Sequence, residues 1–226
     1  MPWSDLSKLG ADRIVPIARA VHDAALANPE AAYALLPGGA AELAALADAA
    51  DTAERTEDRA QRLRNGALAA TREAIVVAGA GQTSYSDARR AWKVLLDHGS
   101  SLASLPPMGA DFPPGGRLRK PTLAPALRAI AEVVAGAPEG FARFQVSAEA
   151  LRALAAEHAA AVDASTAAAT DAAAARAAAR AALKALHAAL DRTVDILRVG
   201  LDADGLARLD AIEGRWLPRR PAAPPA

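Results

Sequence analysis

Residues 20–50 read AVHDAALANPEAAYALLPGGAAELAALADAA, and residues 129–159 read AIAEVVAGAPEGFARFQVSAEALRALAAEHA. Pro29 and Glu30 recur as Pro138 and Glu139 at an offset of 109, and Leu43 and Leu46 recur as Leu151 and Leu154 at an offset of 108. A period near 110 residues, occurring twice, is what one helical unit written twice leaves behind. The expected fold is therefore all-α, with two duplicated antiparallel helical-bundle units of about four helices each.

Composition agrees with helices. Of the 226 residues 65 are Ala, the best helix former, and aromatic residues make up only 4%. Setting Ala aside leaves about 53 larger apolar residues from the 52% hydrophobic content. The expected cores are thin seams of Leu, Ile and Val flanked by close Ala contacts.

Charge and special residues exclude several classes. With 26 basic and 26 acidic residues the net charge is zero, so no global field draws in nucleic acid or an anionic membrane. The absence of Cys removes disulfides, thiolate nucleophiles and Cys-ligated zinc. No apolar run reaches signal-peptide or membrane-spanning length, so a cytoplasmic, soluble protein is expected.

The expected boundaries are a first unit at 1–98, a Gly/Pro-rich linker at 99–121, a second unit at 122–216 and a tail at 217–226. Gly99–Pro121 holds five of the 15 prolines, a density that favours extended chain. In the first unit Ile14, Ile17 and Val21 stripe a helix over 11–28. A second carries Leu43 and Leu46, a third runs from a turn near 51–56 to Gly79, and a fourth spans 84–98 with Ser84 and Ser86 as N-cap candidates.

In the second unit Leu123, Leu127, Ile130 and Val134 form one stripe, Ser147 opens the next helix, and Leu183, Leu186, Leu190, Val194 and Leu197 form the clearest period. Setting Gly79 against Gly200 gives an offset of 121, about 13 more than before, and predicts a longer, projecting Ala-rich hairpin here. The stretch FQVSAEALRALAAEHAAAVDA at 144–164, followed by AAARAAARAALKAL at 173–186, resembles repeats in uncharacterised bacterial Ala-rich tandem helical-bundle proteins. That resemblance covers roughly 70 residues, implies helical bundles and carries no activity.

Each candidate for chemistry has a plainer structural reading. In Ala74–Ser84 (AIVVAGAGQTS) an apolar run meets Gly79 and Gly81 as at a phosphate-cradling loop, but the third Gly is missing and Gly79 reads better as a helix end. Asp202, Asp204 and Gly205 do not fit the ligand positions of a calcium loop, and an Asp capping the last helix fits instead. His22, His98, His158 and His187 lie far apart without di-iron spacing. His158 follows an apolar stripe and reads as a satisfied, semi-buried residue; His187, one turn before Asp191, reads as a surface hydrogen-bond partner.

The alternating charges of 54–64 read as a solvated face. Arg117, Arg119 and Lys120, with Arg215, Arg219 and Arg220, lack the interleaved aromatics of a nucleic-acid surface. Trp3, Trp92 and Trp216 read as packing residues. No catalytic, cofactor-binding or metal-ligating residue is nominated, and no cofactor is expected. The leading expectation is a non-catalytic module that binds a protein partner or self-associates, with no nucleic acid and no membrane as partner. A carrier of a small apolar ligand comes second, and an enzyme whose site is not visible in the sequence third.

Overall fold

The computed structural model describes residues 9–27, 38–98, 105–109, 112–114 and 118–216, and every regular element among them is an α-helix. In chain order these are α1 (Ala11–Leu26), α2 (Gly39–His98), α3 (Lys120–Gly136), α4 (Pro138–Ala142), α5 (Ala148–Gly200) and α6 (Ala203–Trp216). The all-α class is as expected. The division into helices is not, because α2 and α5 run unbroken for 60 and 53 residues.

Four expected features inside these helices are therefore corrected. There is no turn at 51–56, where the Thr56 hydroxyl donates to the Thr52 carbonyl at 2.8 Å and so serves the helix rather than competing with it. Gly79 does not end a helix; a helical Gly costs about 1 kcal/mol relative to Ala, which packing elsewhere on α2 outweighs. Ser84 and Ser86 cap nothing, and the Ser86 hydroxyl donates to the Gln82 carbonyl at 2.7 Å. The hairpin expected within 147–200 is one continuous helix, consistent with the absence of Gly and Pro from 148 to 199. Ser147 does act as a cap, accepting from the Ala150 N–H at 3.0 Å.

Contacts divide the chain into two compact units at places other than the expected boundaries: one holds Met1–Leu63 with Ala172–Ala226, the other Arg64–Asp171. In the first unit α1 presents Ile14, Ile17, Ala18 and Val21 to Leu43, Leu46 and Ala50 of α2 and to Leu186, Leu190, Val194 and Leu197 of α5, with Leu209 of α6 closing the cluster. Burying each Leu or Ile contributes about 1.5–3 kcal/mol. Beyond this cluster Ala60, Ala175 and Ala179 meet, with Leu63 beside them. Glu42 pairs with Arg192 at 3.2 Å, so within this unit α2 and α5 run antiparallel.

The second unit packs Tyr85, Ala88, Trp92 and Leu95 of α2 against Leu123, Leu127, Ile130 and Val134 of α3, Phe141 of α4, and Leu151 and Ala155 of α5. The described part of the Pro-rich segment is strapped to α2 rather than free. The Trp92 indole N–H donates to the Pro106 carbonyl at 3.2 Å, Arg89 Nε to the Phe112 carbonyl at 2.9 Å, and the Gln82 amide to the Leu118 carbonyl at 3.2 Å. Trp92 also meets the Phe112 ring edge-on, with centroids 4.9 Å apart. A Cβ on Gly81 would lie 3.2 Å from both Leu123 and Leu127, so this glycine is what lets α3 approach α2 closely.

Helix starts recur in register. α1 begins at residue 11 and α3 at 120, while α2 begins at 39 and α5 at 148, both 109 residues apart. Pro16 and Pro125 occupy the sixth residue of their helices at the same spacing. Ile14, Ala18, Val21 and Ala25 are buried where Leu123, Leu127, Ile130 and Val134 are buried.

Candidate functional site

Three features of the structure are candidates for function. The first is a charged groove between α1 and α2 in the first unit. Its wider part, about 280 Å³, is lined by Asp12, Val15, Pro16 and Arg19 from α1 and by Glu54, Glu57 and Asp58 from α2. The adjoining part, about 230 Å³, lies among Arg19, His22, Asp23, Ala47 and Asp51. Arg19 stands between the two and donates to Asp51 at 3.1 Å and to Glu54. Those hydrogen bonds, with the nearby carboxylate charges, raise the guanidinium above its ordinary proton affinity. Because Arg19 is half exposed, solvent screens the pairs and their net worth is small. Among the described residues no three His, Asp or Glu are arranged to hold a metal ion.

The second feature is a pair of unpartnered polar groups in the core of the second unit. His158 on α5 is only 1% exposed, and neither ring nitrogen has a hydrogen-bond partner. This corrects its reading as a satisfied, semi-buried residue. Burial, and then the charge of Lys120, push the imidazole below its usual pKa. Tyr85 on α2 is fully buried with its hydroxyl unpartnered, and burial raises its pKa while the charge of Arg89 opposes the shift.

The third feature is the face of α2 turned away from the second unit's core. Residues 74, 77, 78, 81, 85 and 88 are buried, whereas Leu68, Ile75 and Val76 are 50%, 54% and 72% exposed. Large apolar residues scattered singly on a surface are ordinary. Three within nine residues of one helix are not scattered. The sequence signal for this face is Ile75, Val76 and Val77 in succession, since three consecutive helical residues cannot all face one core.

The motifs read from sequence are dispersed. AIVVAGAGQTS lies wholly within α2, without a strand or a phosphate loop. Asp202 caps α6, its carboxylate accepting from the Gly205 N–H at 2.8 Å. His22 sits 3.3 Å from Asp23, and exposed His98 ends α2. His187 is not a surface hydrogen-bond partner: its Nε2 is buried without a partner. Burial lowers its pKa, against Asp191 and a backbone hydrogen bond with Leu9. Arg119 precedes α3, where its N–H donates to the Thr122 hydroxyl at 3.1 Å. Trp92 is a core residue as expected. Trp3, Arg117, Arg219 and Arg220 lie outside the described residues, as do the side chains of Arg215 and Trp216.

No helix among the described residues is long and apolar enough to cross a membrane. Comparison with family models, with curated proteins and with solved structures finds no match.

Proposed function

We propose that this chain is a non-catalytic helical module that binds protein, either another partner or a second copy of itself. The observation that carries this reading is the outward apolar face of α2 at Leu68, Ile75 and Val76, a surface type that marks protein contact when apolar groups cluster. The charged grooves of the first unit suit polar contacts better than an apolar guest, which places the carrier reading second.

The module is read as one helical unit written twice. Supporting this are the helix starts and helical prolines spaced 109 residues apart and the matching buried positions of α1 and α3. The proposed location is the cytoplasm, which fractionation of the source cells would check.

Affinity capture with the full chain, followed by binding measurements on each purified candidate, tests the reading. A saturable protein partner, lost when Leu68, Ile75 and Val76 are changed together to Asp, is the expected result. A chain that stays monomeric and holds no protein would refute it. A small apolar molecule seen by native mass spectrometry through purification would put the carrier reading in its place.

A further inference from the structure

The outward face of α2 is self-complementary about a point between residues 72 and 73. Reading away from that point in both directions pairs Arg72 with Glu73, Ala69 with Val76, and Gly66 with Gly79. All six residues are exposed. At helical spacing they follow one line along the surface, with Leu68 and Ile75 on its edge.

Two observations suggest that this line is normally covered. Arg72 and Glu73 have no ion-pair partner among the described residues, and their own helix offers none. The neighbours three and four positions away are Leu68, Ala69, Ile75 and Val76 for Arg72, and Ala69, Ala70, Val76 and Val77 for Glu73. Gly66 and Gly79 lie inside a continuous helix with nothing within 4 Å of where a Cβ would stand. Each costs roughly 0.5–1 kcal/mol relative to Ala, and no contact within the described chain accounts for them. Helical glycines without Cβ allow a second helix to approach closely, as Gly81 does for α3.

We propose that two copies of this chain associate through this face, α2 against α2, antiparallel about a two-fold axis passing between residues 72 and 73. This rests on the protein-binding reading above and names the partner as a second copy. A two-fold contact brings the same patch from both copies together, so each pairing occurs twice. Arg72 of each copy meets Glu73 of the other, Val76 seats against Ala69, and the glycines at either end let the helices close. A contact spanning about 20 Å of helix is short, so association is weak.

Sedimentation equilibrium on the full chain tests this, with circular dichroism checking that each variant remains helical. The expected result is a concentration-dependent dimer. Arg72→Glu alone and Glu73→Arg alone each set like charges together and weaken it about tenfold or more. Both changes in one chain restore it to within about threefold, because the pairs re-form with reversed sign. Val76→Asp abolishes it. A strict monomer at a chain concentration of about 1 mM would overturn the proposal, while capture of other proteins would still decide the broader reading. A wild-type dimer indifferent to both charge reversals would overturn this face yet leave self-association standing.

Discussion

Thr71 on α2 and Ser165 on α5 are 94 positions apart in sequence, and their hydroxyl oxygens stand 3.3 Å apart in the second unit. Thr71 uses its single hydroxyl proton on the Ala67 carbonyl at 2.8 Å, so Ser165 donates to Thr71. Ala surfaces slide past one another with little preference, and this polar contact distinguishes one register from its neighbours. Ser165→Ala is expected to lower stability by about 0.5–1.5 kcal/mol. In urea unfolding, Ser165→Ala combined with Thr71→Val should cost less than the two single changes added together.

His158 makes the second unit acid-sensitive. In the unfolded chain an imidazole takes a proton near pH 6.5, whereas burial and Lys120 make the folded ring resist it. Stability is therefore full above about pH 6.5 and falls as pH drops below that value, until the folded ring is itself protonated. His187, also lowered by burial, acts in the same direction. His158→Leu should flatten the decline in urea midpoint between about pH 7 and 5 and raise stability at the acid end. An unchanged slope would assign the sensitivity to other groups.

Pro125 is exposed at the sixth residue of α3, where it withholds a backbone N–H from the helix. Pro125→Ala restores that donor and is expected to raise stability by about 1–3 kcal/mol, read as a higher thermal midpoint. Pro16, its counterpart in α1, lines the charged groove, so changing it would also alter that surface.

Gly79 and Gly81 should respond differently to the same substitution. Gly79→Ala meets open space and is expected to stabilise the helix by about 0.5–1 kcal/mol. Gly81→Ala places its new carbon 3.2 Å from Leu123 and Leu127, and the gain in helix propensity is opposed by that crowding. Equal stabilisation of both variants in dilute protein would show that α3 does not depend on the close approach.

Trp92 holds the Pro-rich strap through one hydrogen bond and one ring contact. Trp92→Phe removes the donor to Pro106 and should cost about 1–3 kcal/mol; Trp92→Ala should cost about 3–5 kcal/mol. Limited proteolysis should show faster cleavage within 105–114 in both variants.

Much of the fold was legible because apolar spacing reports which face a helix buries. The stripes Ile14–Ile17–Val21, Leu123–Leu127–Ile130–Val134 and Leu186–Leu190–Val194–Leu197 all reach their cores. Helix ends were harder to read. Ser86, Thr56 and Gly79 are residues that often stop helices, but two of them return their hydroxyls to backbone carbonyls and the third adds only a small local cost. The Pro-rich stretch looked like a linker because composition reports chain stiffness and says nothing of Gln82, Arg89 and Trp92, which anchor it. The outward face of α2 was legible only in part: Ile75, Val76 and Val77 cannot all face one core, but which of them turn outward follows only once Ala74, Val77 and Ala78 are known to be buried.

The second unit occupies one uninterrupted span, Arg64–Asp171, whereas the first needs residues from both ends of the chain. During synthesis α1 and the opening of α2 leave the ribosome well before α5's closing turns and α6. The first unit is thus the later of the two to complete its core, reversing the usual N-terminal-first order of domain folding. Until α5 has been synthesised, Ile14, Val21, Leu43 and Leu46 lack their partners Leu186, Leu190 and Leu197, and the apolar stripe of α1 stays uncovered.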